Sequence, residues 1–312
     1  MERPAGPAVY ASAVLDLLMQ SGEVEVVGRE RTRTADVILS LDGRFRAGRG
    51  QRIVTAVLDL GYLFERRGYR RREWLAQNWR VASAVRRSDH LLAPSAAVRL
   101  GLERYLRVKP KRVTVLEAAP RAGFRRSPRA EVEDVRQRLG LPARYFLFVG
   151  SRVRRKNLAL LAKAWQLAAP AIGPDVGLVL AGAGSTGVAG ARDLGFVPLE
   201  HLPALITGAL AWVNPSLYEG SSIGVLEALA CGTPAVVAGT GAQPHAVGDA
   251  GLILDPHGES QWGEAIISVA GDPALRGRLG AAALRAAASL REWAPRSETL
   301  RQALLGEAAE ET

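Results

Sequence analysis

Short apolar runs alternate with longer stretches of helical periodicity along most of this chain. Residues 37–41 and 145–149 have the length and composition of buried strands. Residues 69–87 carry apolar positions at helical spacing among many arginines, which predicts a basic amphipathic helix. Because strands that alternate with such helices form parallel sheets with crossover connections, the pattern predicts an α/β fold.

The same pattern continues through both halves of the chain. Strands are predicted at residues 24–27, 37–41, 53–60, 90–95, 113–116, 145–149, 176–180, 194–197, 211–215, 233–238 and 251–254. Helices are predicted at residues 11–19, 69–87, 96–106, 158–168, 202–210, 223–231, 262–270 and 274–290. The segment 117–142 contains prolines and glycines and separates the two series. We therefore expect two Rossmann-like domains, residues 1–125 and 126–292, followed by a C-terminal helix in residues 293–312.

The composition is that of a globular protein. Of the 312 residues, 48% are hydrophobic and 23% are charged, and no apolar run approaches the ~20 residues of a membrane span. The first residues lack the apolar core of a signal peptide. The single cysteine, Cys231, excludes an intrachain disulfide and fits a reducing compartment. The sequence therefore predicts a cytoplasmic protein.

The net charge of +10 is concentrated in the first half of the chain. Residues 1–140 hold 28 basic and 16 acidic side chains, whereas residues 141–312 hold 13 and 15. Such a surface would attract nucleic acid, anionic lipid head groups or a phosphate-bearing substrate, and an arginine-rich coding composition explains it equally well. No helix-turn-helix pattern or stacking-aromatic motif accompanies the charge, so nucleic acid is not an expected partner.

Two glutamates, Glu219 and Glu227, lie eight positions apart around a turn that leads into an apolar run. Gly220, Ser221 and Ser222 supply backbone freedom and N-cap chemistry, which predicts that a helix begins after them. The N-terminus of that helix would offer free N–H groups and the positive end of a dipole to a phosphate. A carboxylate beside it can accept hydrogen bonds from sugar hydroxyls. The residues therefore fit a nucleotide-sugar site, while a turn cap and a solvated helix residue remain the plain alternative.

A basic loop, residues 150–158, follows the predicted strand at 145–149. Strand-to-helix junctions are where doubly wound domains bind ligands, and Arg155 and Lys156 would form a clamp for a diphosphate. Arg152 and Arg154, in the same loop, are expected to be solvated.

Residues 215–234 closely resemble the signature of glycosyltransferase family 4, the glycosyl transferases group 1. The family pattern is P-S-x-x-E-G, six variable residues, then E-A-x-A-x-G-x-P, and this chain meets every fixed position. The basic loop is similar to the G-S-x-x-x-R-K-N loop of the same enzymes. The resemblance implies the GT-B fold, in which two Rossmann-like domains face a cleft. It makes residues 1–125 a shortened acceptor domain, residues 126–292 the nucleotide-sugar donor domain, and the C-terminal helix an element that packs back on the first domain.

The resemblance also assigns roles to individual residues. Glu219 would contact the donor sugar, Glu227 the nucleotide ribose, and Arg155 and Lys156 the diphosphate. The remaining assignments are Gly220, Ser221 and Ser222 to phosphate, Phe196 and Val197 to the base pocket, Gly6 to the acceptor loop, and Asp59 to the catalytic set. Relatives often carry His-Asp where this chain has Leu58-Asp59, so the histidine is missing.

The activity implied is retaining transfer of a hexose, with a lean towards mannose, from a nucleotide-sugar to a saccharide or lipid-linked acceptor. No cofactor or metal is expected, since the Asp-x-Asp motif is absent and the four histidines have no ligand spacing. The basic first half would suit peripheral contact with an anionic membrane. The alternative is a nucleotide-sugar-binding pseudoenzyme or partner subunit.

Overall fold

The computed structural model describes residues 6–22, 25–26, 34–184, 188–290 and 294–306, which form two compact units. The first unit comprises residues 1–118 and 292–312, and the second comprises residues 119–291. The division at residue 118 precedes the boundary predicted at residue 125, because Phe124 is buried in the core of the second unit. The strand predicted at residues 24–27 lies largely outside the described residues.

The first unit is a parallel sheet with helices. Its elements are α1 (Gly6–Ser21), β1 (Val37–Ser40), β2 (Arg52–Ala56), α2 (Gly61–Phe64), α3 (Arg71–Arg87), β3 (His90–Ala93), α4 (Ala96–Leu106), β4 (Val113–Val115) and α12 (Ala294–Leu305). In the described residues its strands follow the order β1-β2-β3-β4 and every pair is parallel. Helix α12 packs against α1 and the sheet, and the Arg52 guanidinium donates to the Ala303 carbonyl at 3.1 Å.

Strand β2 is shorter than predicted. It ends at Ala56, whereas the apolar run continues to Leu60. The Asp59 carboxylate accepts the Gly61 N–H, a local bond that turns the chain into α2 and competes with an extended backbone. Leu60 is fully buried, so its apolar character serves packing beyond the strand. Asp59 therefore lies in the loop after β2 and not at the strand's end.

The second unit is a larger doubly wound sheet. Its elements are α5 (Arg129–Arg138), β5 (Arg144–Val149), α6 (Leu158–Ile172), β6 (Val176–Ala181), β7 (Ala191–Asp193), α7 (Leu202–Thr207), β8 (Ala211–Asn214), α8 (Ile223–Ala230), β9 (Ala235–Ala238), α9 (Gln243–Val247), β10 (Gly251–Leu254), α10 (Glu259–Gly271) and α11 (Pro273–Leu290). The described strands follow the order β10-β9-β8-β5-β6-β7 and all pairs are parallel. Hydrophobic cores cover the sheet and include α8 and α11 in one cluster and α6 and α10 in another.

The strand predicted at residues 194–197 is wrong, since β7 ends at Asp193. The Asp193 carboxylate accepts the Gly195 N–H at 3.0 Å, and Gly195 has a left-handed backbone with φ +59°. These features turn the chain immediately after the strand.

In the part of the chain that the structure describes, no helix has the length and apolar character needed to cross a bilayer.

Candidate active site

The candidate site lies where the strand order of the second sheet reverses. Strands β5 and β8 are adjacent, yet the chain leaves β5 towards β6 on one side and leaves β8 towards β9 on the other. Ligands of open parallel sheets bind beyond the carboxyl ends of the strands at such a switch point. The loop after β5 carries Arg155 and Lys156, and the loop after β8 carries Glu219. The topology therefore brings the two sequence motifs together.

Glu219 is the centre of this cluster. Its carboxylate accepts a hydrogen bond from Lys156 Nζ at 2.5 Å through Oε1 and from Arg155 Nη1 at 3.2 Å through Oε2. Burial alone would raise the pKa of Glu219, but the charges of Lys156 and Arg155 outweigh it and lower the pKa to about 2. One carboxylate faces two cations, so the cluster keeps a net positive charge that suits a diphosphate.

Backbone contacts hold these side chains in place. The Leu217 N–H donates to the Arg155 carbonyl at 2.8 Å, which joins the loop after β8 to the loop after β5. The Arg155 guanidinium also donates to the Tyr218 carbonyl. Asn157 adopts a left-handed backbone with φ +53°, which asparagine tolerates, at the start of α6. The Arg-Lys-Asn sequence thus places two cations just before a helix.

The segment that joins β9 to α9 contacts the backbone of the Glu219 loop and was not identified from the sequence. The Ala242 N–H donates to the Glu219 carbonyl at 2.9 Å. Gly241 has φ +56°, and a Cβ added there would lie 2.4 Å from the same carbonyl oxygen. The fully buried Gln243 donates to the Ser216 carbonyl at 3.0 Å. The Gly-Thr-Gly turn after an apolar run was the available signal for this support.

Helix α8 begins at Ile223, as predicted, and Ser222 is its N-cap residue. The Ser222 side chain makes no cap bond, contrary to the capping role expected of it. Its backbone is left-handed (φ +52°, ψ +34°), the residue is 3% exposed, and its Oγ has no hydrogen-bond partner among the described residues. A strained residue with a buried, unsatisfied hydroxyl at a helix N-terminus is an arrangement that an anionic ligand would complete.

Glu227 lies on α8 and is 3% exposed, so the plain alternative of a solvated helix residue is wrong. Arg121 holds both of its carboxylate oxygens: Nε donates to Oε1, and Nη2 donates to Oε2 at 3.0 Å. Sequence reasoning missed Arg121 because it lies in the segment interpreted as a connection. The arginine is flanked by the buried Ala119 and Phe124, which was the signal available.

Arg152 is not solvated, contrary to expectation. Its side chain is buried and pairs with Asp193 at 2.9 Å. It also donates to the Gly150 carbonyl at 3.0 Å and to the Ala181 carbonyl at 3.2 Å. Arg152 therefore joins the ends of three neighbouring strands, while Arg154 is exposed as expected.

The other predicted site residues are distributed over both units. Gly220 and Ser221 connect Glu219 to α8. Phe196 is 53% exposed after β7, whereas the neighbouring Val197 side chain is packed in the core. Asp59 lies in the first unit. Gly6, in the same unit, is the first residue of α1 and not part of a loop. No group of His, Cys, Asp and Glu side chains able to hold a metal ion is found among the described residues.

Proteins of similar sequence identify the family of this chain. The family model described as glycosyl transferases group 1 matches residues 131–286. O-antigen chain mannosyltransferase B of Escherichia coli is 36% identical over 126 residues, covering 36% of this chain and 33% of that protein. D-inositol 3-phosphate glycosyltransferase of Arthrobacter sp. (strain FB24) is 33% identical over 170 residues, covering 47% and 40%. These matches therefore span well under half the length of either relative.

Solved structures show the same fold at low identity. Anabaena HepE in complex with UDP and glucose matches with a TM-score of 0.72 and 14% identity, covering 98% of this chain and 84% of that one. WaaG, a glycosyltransferase involved in lipopolysaccharide biosynthesis, matches with a TM-score of 0.70 and 16% identity, covering 98% and 85%. The predicted fold class is confirmed, and the chain belongs to the glycosyl transferases group 1 family, with the α/β architecture of GT-B glycosyltransferases.

Proposed function

We propose that the protein is a retaining glycosyltransferase that moves a hexose from a nucleotide-diphosphate sugar to a hydroxyl acceptor without a metal. The observation that carries this proposal is the cluster of Glu219 with Lys156 and Arg155 at the switch point of the second sheet. The N-terminus of α8, with the unsatisfied Ser222 hydroxyl, belongs to the same loop. These groups supply cations and hydrogen-bond donors for a diphosphate and a carboxylate for sugar hydroxyls.

The proposed reaction relies on charge stabilisation and positioning. The bond between the anomeric carbon and the diphosphate oxygen breaks, and the acceptor oxygen bonds to the same face of that carbon. The acceptor proton passes to the departing diphosphate. Lys156 and Arg155 stabilise the charge that develops on the leaving group. Because the low pKa of Glu219 keeps it ionised, its role is to accept hydrogen bonds from the donor sugar and not to deliver a proton.

The finer assignments follow from resemblance and from the relatives. Gly220, Ser221 and Ser222 would bind phosphate, Glu227 the ribose, and the segment of Phe196 and Val197 the base, with the exposed Phe196 side chain as its contact. Mannose is the favoured sugar because of the mannosyltransferase relative, although HepE binds UDP with glucose. Asp59 and Gly6 would contribute to catalysis and to acceptor binding. The acceptor would be a saccharide or a lipid-linked saccharide.

Donor binding and turnover test the proposal. A panel that includes GDP-mannose and UDP-glucose is screened by thermal shift, and release of nucleoside diphosphate is then measured with saccharide acceptors, with and without EDTA. We expect Lys156→Ala to abolish both signals. Lys163→Ala is the matched control, since Lys163 forms an exposed ion pair with Glu259 at 2.5 Å in the same unit. The anomeric configuration of the product, read by NMR, tests retention.

A pseudoenzyme or partner subunit is the second candidate, favoured by Leu58 where relatives often carry a histidine. It predicts donor binding that depends on Lys156 with no turnover across acceptors. Absence of any nucleotide binding by the wild-type protein would contradict both candidates.

We further propose that α3 docks the protein on an anionic membrane. Leu75 and Trp79 lie one turn apart on its outer face and are 50% and 69% exposed, with the exposed Arg72 and Arg86 on the same face. Exposed tryptophan beside arginine suits the interface of an anionic leaflet such as the cytoplasmic one. This arrangement would bring the enzyme to a lipid-linked acceptor.

Vesicle co-sedimentation tests this contact. We expect binding to vesicles with anionic lipid, weakened by salt, by Trp79→Ala and by Arg72→Glu, and no binding to zwitterionic vesicles. Leu100→Ala is the control, because Leu100 is 62% exposed on α4. Equal binding by the Trp79→Ala and Leu100→Ala variants would contradict the proposal.

A further inference from the structure

The ion pair between Arg121 and Glu227 has features that a purely structural pair does not need. The Glu227 side chain is 3% exposed and that of Arg121 is 15% exposed, and the pair is bidentate. The third guanidinium nitrogen of Arg121, Nη1, is buried and has no hydrogen-bond partner among the described residues. Buried donors in native proteins are nearly always satisfied by protein, water or ligand, so Nη1 can donate to one further acceptor.

The position of the pair indicates what that acceptor is. Glu227 and Ser222 belong to the same helical segment, five residues apart, which corresponds to about 7.5 Å along a helix axis. A ligand that reaches both residues would place anionic oxygens at the N-terminus of α8 and hydroxyl groups near Glu227. A nucleoside diphosphate has this distribution of groups, with its phosphates at one end and its ribose hydroxyls further along.

We propose that Arg121 is a specificity residue for the nucleoside part of the donor. Two of its nitrogens fix the Glu227 carboxylate, whose remaining lone pairs accept from the ribose hydroxyls, and Nη1 donates to a ribose or base oxygen. A bidentate arginine fixes the plane of a carboxylate, which a lysine cannot do. This inference rests on the proposed function and extends it to a residue outside both sequence motifs.

The alternative is that Arg121 only stabilises the fold. Its pair with Glu227 joins the first segment of the second unit to α8, and its guanidinium lies 4.8 Å from the centre of the ring of Phe124, which is packed in the core of that unit. A structural role alone would make an Arg121 variant lose pyrophosphate and nucleoside diphosphate binding together, as the unit loosens. If Arg121 acts on the nucleoside, the variant would lose affinity for nucleoside diphosphate and keep its affinity for pyrophosphate.

The test compares affinities for UDP, GDP and inorganic pyrophosphate by isothermal titration calorimetry. We expect Arg121→Gln to lower the ratio of nucleoside diphosphate to pyrophosphate affinity about tenfold or more, as expected for lost hydrogen bonds to charged groups. Glu227→Gln should give a similar loss. The double variant should lose no more than the larger single effect, because the residues act as one unit. The affinity ratio of Arg121→Lys should lie between those of Arg121→Gln and the wild type, or equal that of Arg121→Gln.

Arg136→Gln is the matched control, since Arg136 forms a bidentate pair with Glu133 at 2.9 and 2.7 Å on the surface of the same unit. The ratio of nucleoside diphosphate to pyrophosphate affinity in this variant should equal that of the wild type. The double variant also leaves no unpaired buried charge, so it keeps the test possible if Arg121→Gln does not fold. An unchanged ratio in Arg121→Gln, or equal losses for pyrophosphate and nucleoside diphosphate, would overturn the inference while the proposed function stands. Wild-type protein that binds none of the three probes would overturn both.

Discussion

Glu219 shows how strongly the fold controls the ionisation of a single residue. The carboxylate is buried, which disfavours its charge, yet the two cations of the loop after β5 reverse that effect. Breaking a buried pair by removing one partner leaves an uncompensated charge, so each member depends on the other two. The single residues of the site are therefore coupled through charge.

The low pKa of Glu219 predicts a pH-dependent stability. Because the folded pKa of about 2 is below the ordinary 4.5, the contribution is fully present above about pH 4.5 and is lost as the pH falls towards 2. The shift corresponds to on the order of 3 kcal/mol. We expect Glu219→Gln to be less stable than wild type at pH 7, with a difference that shrinks over this window in urea unfolding. A difference that is the same at every pH would contradict the prediction, and Glu259→Gln, at an exposed pair, should cost under about 1 kcal/mol.

Ser222 predicts a conflict between stability and binding. The left-handed backbone costs a non-glycine residue about 1 kcal/mol, and its buried hydroxyl has no partner in the described residues. We expect Ser222→Gly to raise the melting temperature of the free protein and Ser222→Ala to raise it less. Both variants should bind nucleoside diphosphate more weakly, because the hydroxyl is lost. Thermal melts with and without UDP or GDP check this, and tighter binding by either variant would argue against a phosphate contact.

At the scale of elements, the sheet brings the motifs together and the loop between β9 and α9 supports them. Gly241 in that loop lies against the Glu219 backbone, at a left-handed φ that favours glycine. This support depends on the backbone conformation of Gly241, which cannot be inferred from the charged residues of the motif.

Gly241→Ala therefore tests whether the loop between β9 and α9 supports Glu219. The added Cβ would lie 2.4 Å from the Glu219 carbonyl oxygen, so the loop must move and Glu219 with it. We expect a loss of roughly 2 to 4 kcal/mol in unfolding free energy, together with loss of donor binding. Gly277→Ala on α11 is the control, since nothing lies within 4 Å of its added Cβ and alanine favours helices by up to about 1 kcal/mol. Equal stabilities of the two variants in urea unfolding would refute the prediction.

At the scale of the whole molecule, the chain is two units, and their boundary decides which residues accompany the proposed donor site. Residues 119–125 belong to the second unit, through the buried Phe124 and the pair of Arg121 with Glu227. A boundary at residue 125 would separate Glu227 from its partner. The basic excess, by contrast, is confined to the first half of the chain.

Two fragments test the boundary. We expect residues 119–291 to unfold cooperatively and to bind nucleoside diphosphate, since the residues proposed to bind the donor lie within them. A fragment of residues 126–291 should be less stable by roughly 3 to 5 kcal/mol, because Glu227 is left as an unpaired buried charge. Urea unfolding and calorimetry compare the two. Identical stability and affinity would mean that the segment contributes nothing to the unit.

Local pattern determined much of this protein. Helix α4 and strand β10 have the bounds that periodicity predicts, α8 begins at the predicted residue, and the family follows from one twenty-residue signature. These features depend on side chains close together in the chain, where spacing and capping act directly. The predictions that proved wrong, such as the C-terminal end of β2 and the position of β7, failed where an aspartate bound a nearby N–H and turned the chain.

Only the tertiary structure decided which charged side chains form pairs. Lys156 and Glu219 are 63 residues apart, and Arg121 and Glu227 are 106 apart. Hydrophobic periodicity carries no information on such distances, because the strand order of the sheet, and not the chain, makes these residues neighbours. The burial of Arg152 and the support of Glu219 by Gly241 have the same origin. The sequence by itself named the chemical groups of the proposed donor site, whereas the packing of parallel strands brought them together and determined the ionisation of Glu219.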